Sequence, residues 1–388
     1  MTEARQRAKS KIVMAEKSNE TTNQTIELLK RLSLAIGVSG YSRQNNVHEA
    51  VTAELTPYTD RVERDRMGSV IGIKFGEQNQ PHPERADEIE NRKSKIQNRK
   101  VMLAAHLDEI GAIVTKIDKG FLRFTQIGGL DDRILMGQEV MVHGRRDLPG
   151  IIGSIPPHLL PPDQPNNTVD MAEMHIDVGL PPRQVEQWVQ VGDLISFVRT
   201  PTELLGGLLS AKAMDNRSSI AAMIVCLQEL KKLRHQWDVY AVATADEEWG
   251  GFVGATTQAY VIRPDVAIVI DVTFADVDEI EVKLNAGPVI SLGPSNHPVL
   301  RERLLKICGD LELKYQSEMM PSGAGTDAYA IEISREGIPT ILISIPSRYM
   351  HSPIETIHPK DVERAGRLMA HFIASLDETF VDELIPKI

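Results

Sequence analysis

Seven acidic and imidazole side chains stand where they could meet in one crevice. They lie at or near the ends of predicted strands and helices: His106, Asp108, Asp215, Glu247, Glu248, Asp271 and His351. A wound α/β sheet binds its ligands beyond the ends of its strands. His106 and Asp108 are two residues apart, so an extended backbone would turn both side chains to the same face. The pattern therefore predicts one site that contains two histidines and five carboxylates.

Imidazole nitrogens and carboxylate oxygens suit divalent cations such as zinc, cobalt and manganese, and one carboxylate can bridge two ions. Two such ions would polarise a carbonyl and lower the pKa of a shared water towards neutrality, which amide hydrolysis at pH 7 requires. A nearby carboxylate that holds no metal could then carry a proton to the leaving amine. The adjacent Glu247 and Glu248 could divide these tasks, one as a metal ligand and one as the base.

Each residue also has a structural interpretation. An aspartate at a helix start, such as Asp215, more often caps the helix than binds a metal. His106 could be a hydrogen-bonded structural histidine, and Asp271 could cap the turn after its strand. Glu247 and Glu248 could be solvated loop charge. The combination of residues, and not any one of them, favours the metal site.

Long helices alternate with apolar strands, which predicts an α/β fold with a helix-covered, largely parallel mixed sheet. In the N-terminal half, helices are predicted from about residue 22 to 34 and at 46–55, with strands at 70–75 and 101–105. In the C-terminal half, the predicted helices are 216–233, 253–261, 298–308, 327–335 and 359–376. The predicted strands there are 239–244, 266–272, 289–292 and 340–345.

Residues 111–201 have a different sequence pattern from the rest of the chain, because short β-prone segments alternate there with glycine and proline turns. We expect a small barrel-like β domain there, inserted into a catalytic domain formed by 22–110 and 202–388. Residues 76–100 hold almost nothing apolar and are predicted to be a polar surface insertion. The polar residues 1–21 are predicted to be a disordered leader.

The composition is that of an ordinary globular protein, with 42% hydrophobic and 25% charged residues among 388. It excludes collagen-like, disordered and membrane-embedded classes. A net charge of −11 argues against nucleic acid as a partner. No apolar run approaches the ~18–20 residues that cross a bilayer, and no secretory signal is evident, so we expect a cytoplasmic protein without membrane contact.

Six short blocks occur in order along the chain. They are 37–41 (GVSGY), 105–111 (AHLDEIG), 213–217 (AMDNR), 247–248 (EE), 325–328 (GTDA) and 348–353 (RYMHSP). Together they resemble the cytosolic dinuclear metallo-aminopeptidases of the glutamyl and deblocking type. That family includes the tetrahedral aminopeptidases, and some members have carried the names cellulase or endoglucanase. The resemblance extends from about residue 29 to 376.

The resemblance implies a zinc-peptidase fold whose ligands are divided between two ions. One ion would be held by His106, Asp215 and Asp271. The other would be held by Asp215, Glu248 and His351, so that Asp215 bridges the pair. The family also implies a strained peptide bond directly after this bridging aspartate.

The same resemblance implies roles for residues that do not bind metal. Glu247 would be the catalytic base and acid. Asp108 would contribute to catalysis by orienting His106. Gly325, Thr326 and Asp327 would lie near the N-terminal side chain of the substrate.

We therefore expect a metal-dependent aminopeptidase that releases N-terminal residues from short peptides. Two divalent ions per subunit are expected, zinc in the first place, with cobalt or manganese as alternatives. The inserted β domain resembles the dimerisation domain of the family. This implies a homo-oligomer built from dimers, with twelve subunits as one form of assembly.

Other functions fit parts of the pattern. A deacylase or carboxypeptidase-type amidohydrolase acting on small acylated amines would use the same chemistry. A non-catalytic oligomeric scaffold would keep the fold but bind one metal ion or none. A true cellulase fits least, because a glycosidase needs two carboxylates about a sugar ring and not a dinuclear centre.

Overall fold

The computed structural model describes residues 20–40, 45–77, 99–155, 169–322 and 325–385. Two sequence predictions fall largely elsewhere: residues 1–19 of the predicted leader and residues 78–98 of the predicted polar insertion lie outside the described residues. In the described part of the chain, no helix is both long and apolar enough to span a bilayer. Both cysteines, Cys226 and Cys308, are buried and unpaired.

The described part of the chain contains seventeen strands, labelled in chain order. They are β1 (Arg61–Arg64), β2 (Val70–Lys74), β3 (Lys100–His106), β4 (Gly111–Asp118), β5 (Phe121–Ile127), β6 (Glu139–His143), β7 (Asp147–Gly153), β8 (His175–Asp177), β9 (Leu194–Phe197), β10 (Thr202–Leu204), β11 (Leu208–Ala211), β12 (Asp238–Thr244), β13 (Val266–Phe274), β14 (Val289–Leu292), β15 (Gln316–Met319), β16 (Thr340–Arg348) and β17 (Glu355–Ile357).

The helices are numbered in the same way. They are α1 (20–34), α2 (Val47–Leu55), α3 (Pro182–Trp188), α4 (Met214–Leu230), α5 (Val253–Ile262), α6 (Pro298–Asp310), α7 (Asp327–Glu332), α8 (Pro359–Ala374) and α9 (Phe380–Glu383).

Eleven strands form the main sheet, which confirms the predicted α/β class. Its order is β1-β2-β12-β3-β13-β16-β17-β11-β10, and β14 and β15 extend from β16. The central strands β12, β3, β13 and β16 are parallel, and antiparallel strands flank them. Helices cover both faces, so the central strands are apolar along almost their whole length.

Alternate residues of the central strands enter two separate cores. Leu103 and Ile268 pack with α4 and α8 on one face of the sheet. Met102 and Ala267 pack with α5 and α7 on the other face. This two-sided burial holds the carboxyl ends of the parallel strands at one common edge of the sheet.

The other sheet is a closed barrel in the order β4-β5-β8-β7-β6-β9. It has a core of its own, which includes Val114, Leu122 and Val142. The chain enters the barrel just after β3 and returns to the main sheet at β10. The domain boundaries drawn from the sequence stay predictions.

A buried ionic cluster joins the first helix to the start of α4. Arg217 donates through Nη1 to the carbonyl of Leu32 at 2.9 Å, and Lys212 donates to the carbonyl of Ala35 at 3.2 Å. Cations at the carboxyl end of a helix are favourable partners for its last carbonyls. Lys212 also lies 2.6 Å from the carboxylate of Glu109, and both side chains are buried. The cluster thereby fixes the chain beside Asp108 and just before Asp215.

Most differences from the predicted elements concern ends and short strands. The helix predicted at 327–335 stops at Glu332, whose carbonyl accepts a bond from the N–H of Ile338 at 3.0 Å and closes a turn into β16. The strand predicted at 340–345 continues to Arg348. Strands β1, β8, β10, β11, β15 and β17 were not predicted, because a strand of three or four residues seldom shows a clear period of two.

Gly366 allows α8 to approach α4 closely. An added β-carbon would lie 2.6 Å from Val225 Cβ and 2.7 Å from the carbonyl oxygen of Ala222. Gly366→Ala should therefore lower the free energy of unfolding by about 1–2 kcal/mol, since overpacking outweighs the helix preference of alanine. Urea unfolding measures the change.

The matched control is Gly309→Ala in α6, where an added β-carbon meets nothing within 4 Å. This substitution should stabilise the protein by about 0.5–1 kcal/mol, because alanine restricts the unfolded chain. A Gly366→Ala protein as stable as the parent would contradict the close packing.

Candidate metal centre

The acidic and imidazole residues predicted from the sequence converge at the carboxyl ends of the parallel strands. His106 is the last residue of β3, and Asp271 lies in β13. Glu247 and Glu248 form the turn after β12. Asp215 lies at the start of α4, and His351 lies in the loop after β16.

Two sets of three ligand atoms share the carboxylate of Asp215. The first set is His106, Asp215 and Asp271, and its ligand atoms lie within 4.8 Å of one another. Nε2 of His106 is 3.1 Å from Oδ1 of Asp215 and 3.8 Å from Oδ1 of Asp271. All three side chains are buried.

The second set is Asp215, Glu248 and His351, again within 4.8 Å. Nε2 of His351 is 3.4 Å from Oδ2 of Asp215 and 3.5 Å from Oε2 of Glu248. Asp215 thus turns one oxygen towards each histidine. These are the same two sets that the resemblance implies.

Asp215 does not cap its helix through its side chain. The N-cap of α4 is Ala213, which lies in the left-handed region with φ of 57°. Asp215 and Asn216 have non-helical backbone angles, and the peptide bond between them is cis. Asn216 donates through Nδ2 to the carbonyl of Ile270 at 2.9 Å, which ties this irregular turn to β13.

Asp108 connects the end of β3 to the glutamate turn. Its Oδ1 lies 3.5 Å from Nδ1 of His106. Its carboxylate accepts the backbone N–H groups of Glu247 at 3.2 Å and Glu248 at 3.1 Å, and the hydroxyl of Ser39 also donates to it. Burial opposes the charged form of Asp108, but the hydrogen bond and charge of His106, together with the hydrogen bonds from Ser39 and from the N–H of Glu247, outweigh burial and lower the pKa.

Burial and mutual repulsion raise the pKa of several of these carboxylates. Burial, followed by the charges of Asp271, Asp327 and Asp215, raises the pKa of Glu247 to about 9. Burial likewise raises the pKa of Asp271 to about 7, and it raises that of Glu248 well above the usual value. Such shifts are expected where several carboxylates are packed together out of water.

For His106, in contrast, the surroundings favour the charged form of the side chain. Burial disfavours its charged form, yet Glu247 and the hydrogen bonds to Asp108 and Asp215 outweigh this effect and hold its pKa well above the usual value. The imidazole thus supplies positive charge to the acidic cluster.

The donor set fits divalent cations. Each set combines one imidazole nitrogen with carboxylate oxygens, as zinc, cobalt and manganese accept. Oε1 of Glu248 is buried and has no hydrogen-bond partner among the described residues. Buried polar atoms in folded proteins are normally paired, so an unpaired carboxylate oxygen beside two histidines points to a cation.

Gly325, Thr326 and Asp327 lie at the start of α7. Thr326 caps this helix by accepting the N–H of Ala328 at 3.3 Å. Asp327 is buried, accepts the hydroxyl of Thr244 and keeps Oδ1 without a partner among the described residues. Burial raises its pKa to about 6, and its charge acts on Glu247. Gly325 is exposed. Their contact with a substrate stays a prediction.

The barrel supplies one wall of the site through two glycines after β5. A β-carbon at Gly129 would lie 2.8 Å from Nδ1 of His351. A β-carbon at Gly128, which has φ of +77°, would lie 3.2 Å from Oε2 of Glu248. Side chains at these positions would enter the space of the second ligand set.

Two residues that contact the site, Ser39 and Glu355, were not predicted as functional residues from the sequence. Ser39 was seen only as part of a motif, although its hydroxyl binds Asp108. Glu355 was not singled out, although it accepts the backbone N–H groups of Asp215 at 2.8 Å and His351 at 2.9 Å. The signal that could have found it is an acidic residue between Ile354 and Ile357, close after His351.

A second hydrogen-bonded group in the barrel has the residue types of a serine hydrolase. His143 lies 2.9 Å from Asp147 through Nδ1 and 2.9 Å from Ser196 through Nε2. Ser196 is only 2% exposed. A substrate could not reach this hydroxyl without opening the barrel, so we interpret the group as a structural network.

The chain is similar in sequence to known aminopeptidases. The sequence profile of the M42 glutamyl aminopeptidases matches residues 89–368. A lysyl aminopeptidase of Pyrococcus furiosus is 33% identical over 360 residues, which cover 90% of this chain and 97% of the relative.

Two solved structures share the fold. Aminopeptidase APDkam598 of Desulfurococcus kamchatkensis has a TM-score of 0.82 at 34% identity, covering 95% of this chain and 99% of that one. The TET1 peptidase of Pyrococcus horikoshii, which assembles into a tetrahedron or a large octahedral shell, has a TM-score of 0.75 at 27% identity, covering 91% and 100%. The chain belongs to the M42 glutamyl aminopeptidase family.

Proposed function

We propose that the protein is a metal-dependent aminopeptidase that removes N-terminal residues from short peptides with the help of two divalent cations. The observation that carries the proposal is the carboxylate of Asp215, which faces His106 with one oxygen and His351 with the other. Membership of the M42 family supports the same activity. Zinc is the proposed metal, with cobalt or manganese as alternatives.

The proposed ligands form the two sets described above, which share Asp215. His106, Asp215 and Asp271 would hold one cation, and Asp215, Glu248 and His351 the other. Bound cations would polarise the scissile carbonyl and lower the pKa of the attacking water.

Glu247 is the proposed base. It is 9% exposed, and its Oε2 lies 3.8 Å from Nε2 of His106, yet it belongs to neither ligand set. Positive charge brought to the site would lower its raised pKa, so that it starts the reaction ionised. Glu247 would then take a proton from water as the water oxygen attacks the carbonyl carbon. It would return this proton to the leaving nitrogen as the C–N bond breaks.

Asp108 is proposed to orient His106 while it holds the glutamate turn. Gly325, Thr326 and Asp327 are proposed to contact the N-terminal residue of the substrate. An acidic surrounding favours the ammonium group that such a substrate carries at neutral pH. The same surrounding disfavours the carboxylate of an N-acyl amino acid, so the amidohydrolase alternative is weaker. The scaffold alternative is also weaker, because both ligand sets are complete.

We propose a homo-oligomer built from dimers that form through the barrel. The assembly of the Pyrococcus horikoshii relative into a tetrahedron or a shell supports an oligomer, with twelve subunits as one form. A cytoplasmic location belongs to the same proposal, and the two unpaired cysteines agree with a reducing compartment.

A substrate panel tests the proposed activity. Aminoacyl anilides and dipeptides should be hydrolysed, N-acyl amino acids should not, and chelation should abolish the activity. Zinc, cobalt or manganese, added separately, should restore it. Preferred hydrolysis of N-acyl amino acids would favour the amidohydrolase, and fewer than two bound ions per subunit would favour the scaffold.

Glu247→Gln should lower kcat by about 100-fold or more, because the amide cannot accept the proton. Metal content should stay at the level of the parent, since Glu247 belongs to neither ligand set. Aminoacyl anilide hydrolysis and elemental analysis measure the two effects. The control is Glu302→Gln on an exposed position of α6, which should keep the parent rate. A Glu247→Gln enzyme that works at the parent rate would refute the assignment of the base.

A further inference from the structure

Glu355 touches two of the proposed ligands through their backbones. It opens the short strand β17, which lies between β16 and β11, and it is 1% exposed. Its Oε2 accepts the N–H of Asp215 at 2.8 Å, and its Oε1 accepts the N–H of His351 at 2.9 Å. One rigidly placed side chain therefore spans two ligands that are 136 positions apart in the sequence.

The two segments that Glu355 joins have irregular backbones. Asp215 has φ of −78° and ψ of 100° inside α4, which is not a helical conformation. His351 has φ of 60°, in the left-handed region that residues other than glycine adopt at a cost. The bonds to Glu355 supply a fixed partner to the N–H group of each residue.

His351 depends most on this support. Its side chain is 42% exposed, whereas those of Asp215 and Glu248 are 6% and 2% exposed. Its ring borders Gly129 of the barrel on one side. The position of its imidazole therefore relies on the backbone that Glu355 holds.

We propose that Glu355 is a positioning residue that sets the geometry of the second ligand set by bridging the backbones of Asp215 and His351. The inference rests on the proposed function insofar as that set binds a cation. A carboxylate suits the task because it presents two acceptor oxygens and no donor. Burial and the charge of Asp215 raise the pKa of Glu355 above its usual value, while the N–H groups of Asp215 and His351 favour its charged form. The buried cations Lys212 and Arg217 also interact electrostatically with Glu355.

The test is a titration of metal-free protein with Co²⁺, followed by visible absorption. His351→Ala first identifies the binding event that belongs to the second set, because that event should disappear. In Glu355→Gln, this event should weaken by about 10–100-fold, the usual effect of losing a partner behind a metal ligand. A glutamine keeps the size of the side chain but offers one acceptor oxygen in place of two.

Asp361→Asn is the matched control. Asp361 is a buried carboxylate that accepts the backbone N–H groups of Asn285 at 2.6 Å and Gly287 at 2.8 Å, and neither residue belongs to a ligand set. This variant weakens the same kind of backbone bridge elsewhere in the fold, together with an ion pair between Asp361 and Arg364 at 2.8 Å. It should therefore lower the urea midpoint while both Co²⁺ affinities stay at the parent values.

Glu355→Asp provides a second variant if Glu355→Gln does not fold. It keeps the charge but withdraws the carboxylate by about 1.5 Å, one carbon–carbon bond, so it should not reach both N–H groups. Weaker Co²⁺ binding in this variant supports positioning, and parent-like binding in either Glu355 variant overturns it. An equal loss in Asp361→Asn, or a His351→Ala protein that loses no binding event, also overturns it. A parent that binds Co²⁺ but hydrolyses no aminoacyl substrate would refute the proposed function alone.

Discussion

The centre of this structure is an excess of negative charge in a space that excludes most water. Asp108, Asp215, Glu247, Glu248, Asp271, Asp327 and Glu355 are largely buried near two imidazoles. Carboxylates packed in this way repel one another, and burial deprives them of hydration, so the arrangement needs compensating partners. The fold supplies these partners in two different ways, and this difference separates the supporting carboxylates from the proposed ligands.

Asp108 and Glu355 are compensated by the backbone. Each accepts two peptide N–H groups, at least one of them from a segment distant in the sequence, so each carboxylate links separate loops. Asp215, Glu248 and Asp271 instead direct oxygens towards a histidine, and one oxygen of Glu248 is left unpaired among the described residues. The first pair holds the loops in place, and the other three remain available for cations.

The convergence of the acidic and imidazole side chains could be predicted from the sequence better than the framework that holds them. His106, Asp271 and the glutamate turn could be predicted because strands of a parallel sheet end at one edge, and a strand of seven to nine apolar residues is easily recognised. Glu355 could not be predicted in this way, because its strand has three residues and its partner Asp215 is 140 positions away in the sequence. Tertiary contacts also decide where α7 stops, and local pattern does not contain that information.

Gly128 and Gly129 bring the barrel into contact with the candidate site. Because the backbone there abuts the imidazole of His351 and the carboxylate of Glu248, the barrel is part of the cleft and not a detachable appendage. Excising it would open that wall to solvent. If subunits associate through the barrel, a small rotation of one protomer relative to its neighbour would move the wall that lies against the imidazole of His351. A change in quaternary structure would then change the geometry of the candidate site.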